Sequence, residues 1–118
     1  MTKICTSLEQ AKKLTEILPL ESADMRFCFS NTLSGRIIGH YPMIGREPSM
    51  GTIPCWSLSA LLDILDYPQL SKDKLGSGKT GWMVSIYPND CRYDSCWHDN
   101  PIDACYEMII KLHELNLL

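Results

Sequence analysis

The chain has 118 residues, of which 45% are hydrophobic and 21% charged, as in ordinary soluble globular proteins. This length predicts a single domain over residues 1–118, which would bury about two thirds of the surface that the unfolded chain exposes. The formal net charge of −3 excludes a general electrostatic attraction to nucleic acid polymers or anionic membranes. The N-terminal segment turns polar early, and no apolar run approaches the roughly 18 residues that cross a bilayer. These features predict a cytoplasmic protein.

The first and last helices are indicated by their start signals. Ser7 and Gln10 have the spacing of a capping box, which predicts a helix over residues 8–18. Asn100 can cap the last helix, and Pro101 follows at the first helical position, where its missing N–H costs nothing. Apolar residues then recur at helical spacing towards the C-terminal end of the chain, so we expect this helix to pack against a sheet.

A second helix is expected over residues 57–65, between a proline-rich loop and Pro68. Ser57 can cap it. Trp56, just before the cap, and Leu61, four residues into the helix, are placed for a hydrophobic staple.

Strand patterns come in two pairs. Residues 25–30 and 36–41 predict one antiparallel hairpin, and residues 81–87 with 91–97 predict another. The polar, glycine-containing segment 69–80 is expected to be a loop. The resulting fold class is α+β: one mostly antiparallel four-stranded sheet with three helices, in the order α-β-β-α-β-β-α.

Two segments resemble sites for chemistry. Residues 76–80 read like the end of a phosphate-binding P-loop, but a strand rather than a helix is expected to follow them. Cys91, Cys96 and His98 offer thiolate and imidazole groups for zinc or for a thiol hydrolase, although their spacing matches no zinc-binding pattern. We therefore predict no enzymatic activity, no metal and no cofactor, and keep a thiol or zinc hydrolase as the less favoured alternative. The chain contains six cysteines, and a reducing compartment predicts no structural disulfides among them.

Cationic, aromatic and hydroxyl side chains collect around the first hairpin, the loop after it and the start of the second helix. Such groups suit stacking and anion contacts to a nucleotide-like ligand, assisted by the N–H groups at the helix start. In the alternative interpretation, the tryptophan only packs in the staple and the arginines are solvated. The candidate ligand-binding residues are Arg36, His40, Tyr41, Arg46, Trp56 and Ser57.

The strand over residues 81–87 carries apolar side chains on both faces. Trp82 and Val84 lie on one face, while Met83 and Tyr87 lie on the other. Helices covering one side would leave the second face exposed, which predicts self-association as a homo-oligomer or contact with another protein.

Three stretches, residues 7–25, 53–65 and 100–118, resemble a family of small uncharacterised proteins from phages and mobile elements of gut anaerobes. The resemblance transfers no site residue, because that family has no assigned function. It implies an accessory protein acting in the cytoplasm of a bacterial host cell. The hypothesis is a non-enzymatic binding protein that counteracts host defence by sequestering a small anionic signal. The alternative is an interaction module that inhibits or masks a host protein.

Overall fold

A computed structural model describes residues 3–31, 37–44 and 53–118, with backbone alone for residues 28–31 and 37–44. The α+β class is confirmed, with three α-helices in the described ranges. None of the helices in these ranges is both long and apolar enough to cross a membrane. The elements follow in the order α1 (Leu8–Thr15), β1 (Met25–Asn31), β2 (Ile37–Ile44), β3 (Ile53–Cys55), α2 (Leu58–Ile64), β4 (Gln69–Lys74), β5 (Thr80–Ile86), β6 (Tyr93–Asp94) and α3 (Pro101–Glu114).

The chain forms two compact units. The N-terminal unit is Cys5–Ala60, and the C-terminal unit combines Met1–Ile4 with Leu61–Leu118. Each unit contains its own three-stranded antiparallel sheet in the described part of the chain, with strand orders β2-β1-β3 and β4-β5-β6.

In the N-terminal unit, β1 is the central strand of the described sheet. Met25 lies opposite Cys55 of β3, and these two residues share a core cluster with Phe27, Ala11 and Cys5. The sequence of this strand predicts that Met25, Phe27 and Phe29 share one face, and over residues 25–27 burial agrees, because Met25 and Phe27 are buried and Arg26 is only half-buried. The side chain of Phe29 lies outside the described ones.

Helix α1 begins as predicted and ends earlier. The capping box is present: the Gln10 N–H donates to Ser7 Oγ at 3.2 Å, and the Ser7 N–H donates to Gln10 Oε1 at 2.9 Å. The helix ends at Thr15, not at Leu18. Leu18 is nevertheless buried, with its N–H bonded to the Leu14 carbonyl at 2.8 Å. The apolar pattern therefore continues one turn beyond the regular helix.

In the C-terminal unit, α3 packs on β5, the central strand of the second sheet. Val84 and Ile86 are buried, as are most apolar residues along one side of the helix. The predicted cap is confirmed, since the Asp103 N–H donates to Asn100 Oδ1 at 2.9 Å. The buried residues of α3 are Ile102, Ala104, Cys105, Met108, Ile109 and Leu112.

The prediction of one four-stranded sheet does not match this arrangement, because two strands lie in segments expected to be loops. β3 contains Pro54 and pairs only with β1, at the edge of its sheet, where a missing N–H is tolerated. β4 is a mostly exposed polar strand that pairs with β5 along Gln69–Lys74. Because this edge strand is polar, its sequence lacks the alternation of apolar and polar residues from which strands are predicted. The return strand expected at residues 91–97 is reduced to Tyr93–Asp94.

Candidate functional site

The structure describes the six predicted ligand-binding residues to different extents. Arg36 and Arg46 lie outside the described residues. His40 and Tyr41 lie on β2, where their backbone pairs with Phe29 and Cys28 of β1. Only the last two candidates, Trp56 and Ser57, have described side chains.

Trp56 is a core residue. Its exposed fraction is 0%, and its indole N–H donates to Ser22 Oγ at 2.9 Å. Its backbone N–H donates to Thr6 Oγ1 at 3.2 Å, while its carbonyl accepts the Thr6 N–H at 2.9 Å. A ring buried in this way offers no face on which a nucleobase could stack, so the structure favours the packing interpretation of this tryptophan.

Ser57 caps α2 as predicted and is also bonded to a carboxylate of the same unit. The Ala60 N–H donates to Ser57 Oγ at 3.3 Å. The Ser57 N–H donates to Asp24 Oδ1 at 2.9 Å, and its hydroxyl donates to Asp24 Oδ2. Asp24 therefore holds the position at the helix start that was expected to receive an anionic ligand. Sequence reasoning missed this partner, which lies 33 residues away in the chain.

The Cys96 and His98 region is organised by Glu107 of α3. Glu107 Oε2 accepts the Cys96 N–H at 2.8 Å, and Oε1 lies 2.9 Å from His98 Nε2. Burial acts to raise the pKa of Glu107, but the hydrogen bonds from Cys96 and His98 outweigh it and hold this pKa below its usual range. The carboxylate thus ties the segment before α3 to the helix.

Within the described ranges, no group of three or more His, Cys, Asp or Glu residues is placed to hold a metal ion. Cys91 and Cys96 are exposed, whereas Cys5, Cys55 and Cys105 are buried. Burial raises the pKa of the Cys105 thiol to about 12, so this cysteine is a protonated core residue at neutral pH. The zinc or thiol hydrolase alternative at Cys96 and His98 stays a prediction.

The second face of β5, expected to be apolar, has polar neighbours. Met83 pairs with Ser71 of β4, and the next residue of the same face, Ser85, donates to Asp94 Oδ1 at 2.6 Å. Tyr87 lies beyond the end of β5. Self-association through this face stays a prediction, although the wide apolar surface on which it was based is absent from these described strands.

A cavity of about 360 Å³ lies entirely within the C-terminal unit. Three chain segments meet around it: the end of α2 with the following turn, the turn after β5, and the end of α3 with the residues beyond it. Its volume lies within the range of small-molecule sites, roughly 300–1,000 Å³. The lining residues are Ile64, Asp66, Tyr67, Ile86, Tyr87, Pro88, Asn89, Leu112, Leu117 and Leu118.

The cavity has an apolar floor and an exposed, partly aromatic rim. Ile86 and Leu112 are buried and come from β5 and α3. Tyr67, Tyr87 and Leu118 have exposed fractions of 92%, 46% and 46%. A buried floor beneath exposed rings is a surface on which a ligand could remove apolar area from water.

The end of α3 is shaped by a Schellman motif. Asn116 adopts φ +57°, its N–H bonds to the His113 carbonyl at 3.1 Å, and the Leu117 N–H bonds to the Leu112 carbonyl at 2.8 Å. The helix therefore ends at Glu114. The motif folds Leu117 back beside Leu112, and both side chains line the cavity.

Positive φ values concentrate at this cavity. All four non-glycine residues with positive φ in the described ranges line the cavity or directly adjoin a lining residue. Asparagine and aspartate tolerate the left-handed region, which accounts for Asn116, Asn89 and Asp90. Tyrosine rarely adopts it, yet Tyr67 has φ +47°. Tyr67 also precedes Pro68, a position that normally favours extended backbone.

The conformation of Tyr67 is thus unfavourable, and with 92% of its surface exposed the ring has little packing to offset the cost. Backbone strain of this kind is found mainly at binding sites and switch regions. None of the lining residues was among the predicted ligand-binding residues, and Tyr87 was considered only as part of a sheet face. An asparagine just after the α3 pattern was a usable signal for the turn at Asn116, but no local pattern indicated a cavity.

Comparison of the chain with protein-family models, curated proteins and solved structures finds no match. The resemblance to phage and mobile-element proteins stays a prediction, and the cavity itself carries the functional interpretation.

Proposed function

We propose that the protein is a non-enzymatic binding protein whose small-molecule ligand occupies the cavity of the C-terminal unit. The observation that carries the proposal is Tyr67: a strained, exposed aromatic residue at the rim of a cavity with an apolar floor. A bound ligand would cover this ring, and the favourable free energy of that contact would offset part of the backbone strain.

The chemistry of the lining supports binding without turnover. The described residues that line the cavity include no cysteine, histidine, serine, threonine or lysine. Asp66 is the one carboxylate side chain among them, so the paired acid and base of a hydrolase is absent from this lining.

The anionic, nucleotide-like ligand predicted from the sequence is a poor fit to this cavity, because no basic side chain is found among its described lining residues. Capture of an anion would depend on Arg36 and Arg46, which lie outside the described residues. Sequestration of a nucleotide signal by the first predicted hairpin and the loop after it stays a separate prediction.

The proposal is tested by titrating ¹⁵N-labelled protein with a library of small organic fragments and following amide chemical shifts. We expect shifts at residues 64–67, 86–89 and 112–118. Leu117→Trp should abolish them by filling the cavity, since Leu117 lines it. Leu115→Trp is the matched control, because Leu115 is 47% exposed, lies two residues away and is not a lining residue. Absence of fragment binding, or binding unaffected by Leu117→Trp, would contradict the proposal.

A second candidate function is favoured by the exposed rim. Tyrosine is enriched among the residues that dominate protein interfaces, and Tyr67, Tyr87 and Leu118 could surround an apolar side chain inserted by a partner protein. Such a module would mask a host protein, in line with the implied phage context. Immobilised wild type and Leu115→Trp should then retain the same host protein, and immobilised Leu117→Trp should lose it. Equal retention by all three would exclude the cavity as the docking point.

A further inference from the structure

We infer that the cavity selects an organic cation: an amine or quaternary ammonium group attached to an apolar body. This inference rests on the proposed binding function and adds the charge class of the ligand. It follows from three properties of the lining, namely its charge, its aromatic residues and its size.

The charge of the lining favours a cation. Asp66 carries the single carboxylate side chain among the described lining residues, and no lysine, arginine or histidine accompanies it there. A carboxylate without a basic neighbour in the same lining attracts a cationic ligand and repels an anionic one. Asp66 is exposed at the rim, so a ligand could reach it without a buried charge being created.

The aromatic residues act in the same direction. Tyr67 follows Asp66 directly, and Tyr87 lines the cavity from the turn after β5. A ring face attracts a cation through its quadrupole, and combinations of aromatic rings are used to hold quaternary ammonium groups. The carboxylate and the two tyrosines line the same cavity, so charge attraction and cation–π attraction both favour a cationic ligand there.

The apolar floor defines the rest of the ligand. Ile64, Ile86 and Leu112 provide hydrocarbon surface, and the volume of about 360 Å³ is at the lower end of the range for small-molecule sites. Asn89 adds one amide at the rim, which can donate to or accept from a hydroxyl of the ligand. A small amphiphilic cation fits this distribution better than a sugar or a phosphate ester.

The experiment compares three probes of nearly the same shape: choline, 3,3-dimethyl-1-butanol and 3,3-dimethylbutanoate, which are cationic, neutral and anionic. Dissociation constants are measured by NMR titration at low salt. We expect choline to bind about three- to tenfold more tightly than the alcohol, because exposed cation–π and carboxylate contacts are modest in water. The butanoate should bind most weakly.

The source of the preference is tested with Asp66→Asn. This substitution should weaken the binding of choline more than the binding of the alcohol, and so reduce the preference for choline at least twofold. Asp63→Asn is the matched control, since Asp63 is an exposed carboxylate on α2 that does not line the cavity. It removes the same net charge and should change neither affinity beyond error.

The possible results separate this inference from the proposed function. Equal binding of choline and the alcohol, with Leu117→Trp abolishing both, would overturn the cation preference and retain the binding cavity. Tighter binding of the butanoate would also overturn it. If none of the three probes binds and the fragment library also leaves the lining amides unshifted, both proposals fail. An equal effect of Asp63→Asn and Asp66→Asn would show a general charge effect and contradict the local assignment.

Discussion

The carboxylate of Asp24 is bound to Ser57 by two hydrogen bonds, one from the backbone N–H at 2.9 Å and one from the hydroxyl. The hydroxyl in turn accepts the Ala60 N–H, so the residue before β1 and the first turn of α2 are held together. A chain of bonds among partly buried groups of this kind stabilises local structure and leaves no free donor at Ser57 for a ligand.

Replacing Asp24 by alanine is therefore expected to lower the free energy of unfolding by about 1–3 kcal/mol, because two donors of Ser57 lose their acceptor. Urea denaturation at neutral pH measures this difference. Glu21→Ala is the control, since Glu21 is exposed in the preceding turn, and its change should stay within about 0.5 kcal/mol. An unchanged midpoint for Asp24→Ala would show that these bonds contribute no net stability.

Tyr67→Asn is expected to separate stability from binding. Asparagine tolerates the left-handed region, and the tyrosine ring is 92% exposed, so its removal costs little packing. The free energy of unfolding should stay constant or rise by about 0.5–1 kcal/mol. Binding of fragments at the cavity should weaken. Thermal denaturation and NMR titration measure the two quantities, and a loss of more than about 1 kcal/mol would show that the ring supports the fold.

Glu107 predicts a specific pH dependence. Its pKa is lower in the folded protein than its ordinary value of 4.5, so ionised Glu107 stabilises the folded state above that value. This contribution is lost as the pH falls through the lower pKa of the folded state. Glu107→Gln should therefore be less stable than wild type at neutral pH, and the difference should close as the pH decreases below 4.5. A difference that stays constant down to pH 3 would contradict an electrostatic role.

The cysteines should react with maleimide in two groups. Cys91 and Cys96 are exposed and should be modified rapidly in the native protein. Cys105 is buried and its pKa is raised to about 12, which suppresses the reactive thiolate, so it should react only after unfolding. Fragmentation of tryptic peptides in tandem mass spectrometry assigns the label, because Cys96 and Cys105 lie in the same tryptic peptide, residues 93–111. Rapid native labelling of Cys105 would show that α3 does not stay packed on its sheet.

The parts of the fold that were predictable are those with local causes. The capping box of Ser7 and Gln10 and the cap at Asn100 need donors and acceptors only three residues apart. The alternation in β1 needs only one buried face. β4 was missed because an exposed edge strand lacks a hydrophobic pattern, and the extent of its pairing is set by β5.

The candidate site could not be predicted to the same extent. Trp56 and Ser57 were chosen for their chemical types, yet their bonding partners are Ser22 and Asp24, at separations of 34 and 33 residues. Because of these hydrogen bonds, both residues stabilise the fold. Side-chain type alone does not distinguish a ligand contact from a core contact, because the same hydrogen-bonding groups serve either purpose.

The amino-acid sequence by itself determined the three helices, their caps and the α+β class, since each depends on interactions within a few residues. The tertiary structure decided that the described strands form two sheets, and it decided where the cavity lies. Its lining comes from the ends of α2, β5 and α3, three segments whose proximity depends on how that unit packs. The tertiary structure also decided the positive φ of Tyr67, because the local preference of a tyrosine before a proline is for extended backbone with negative φ.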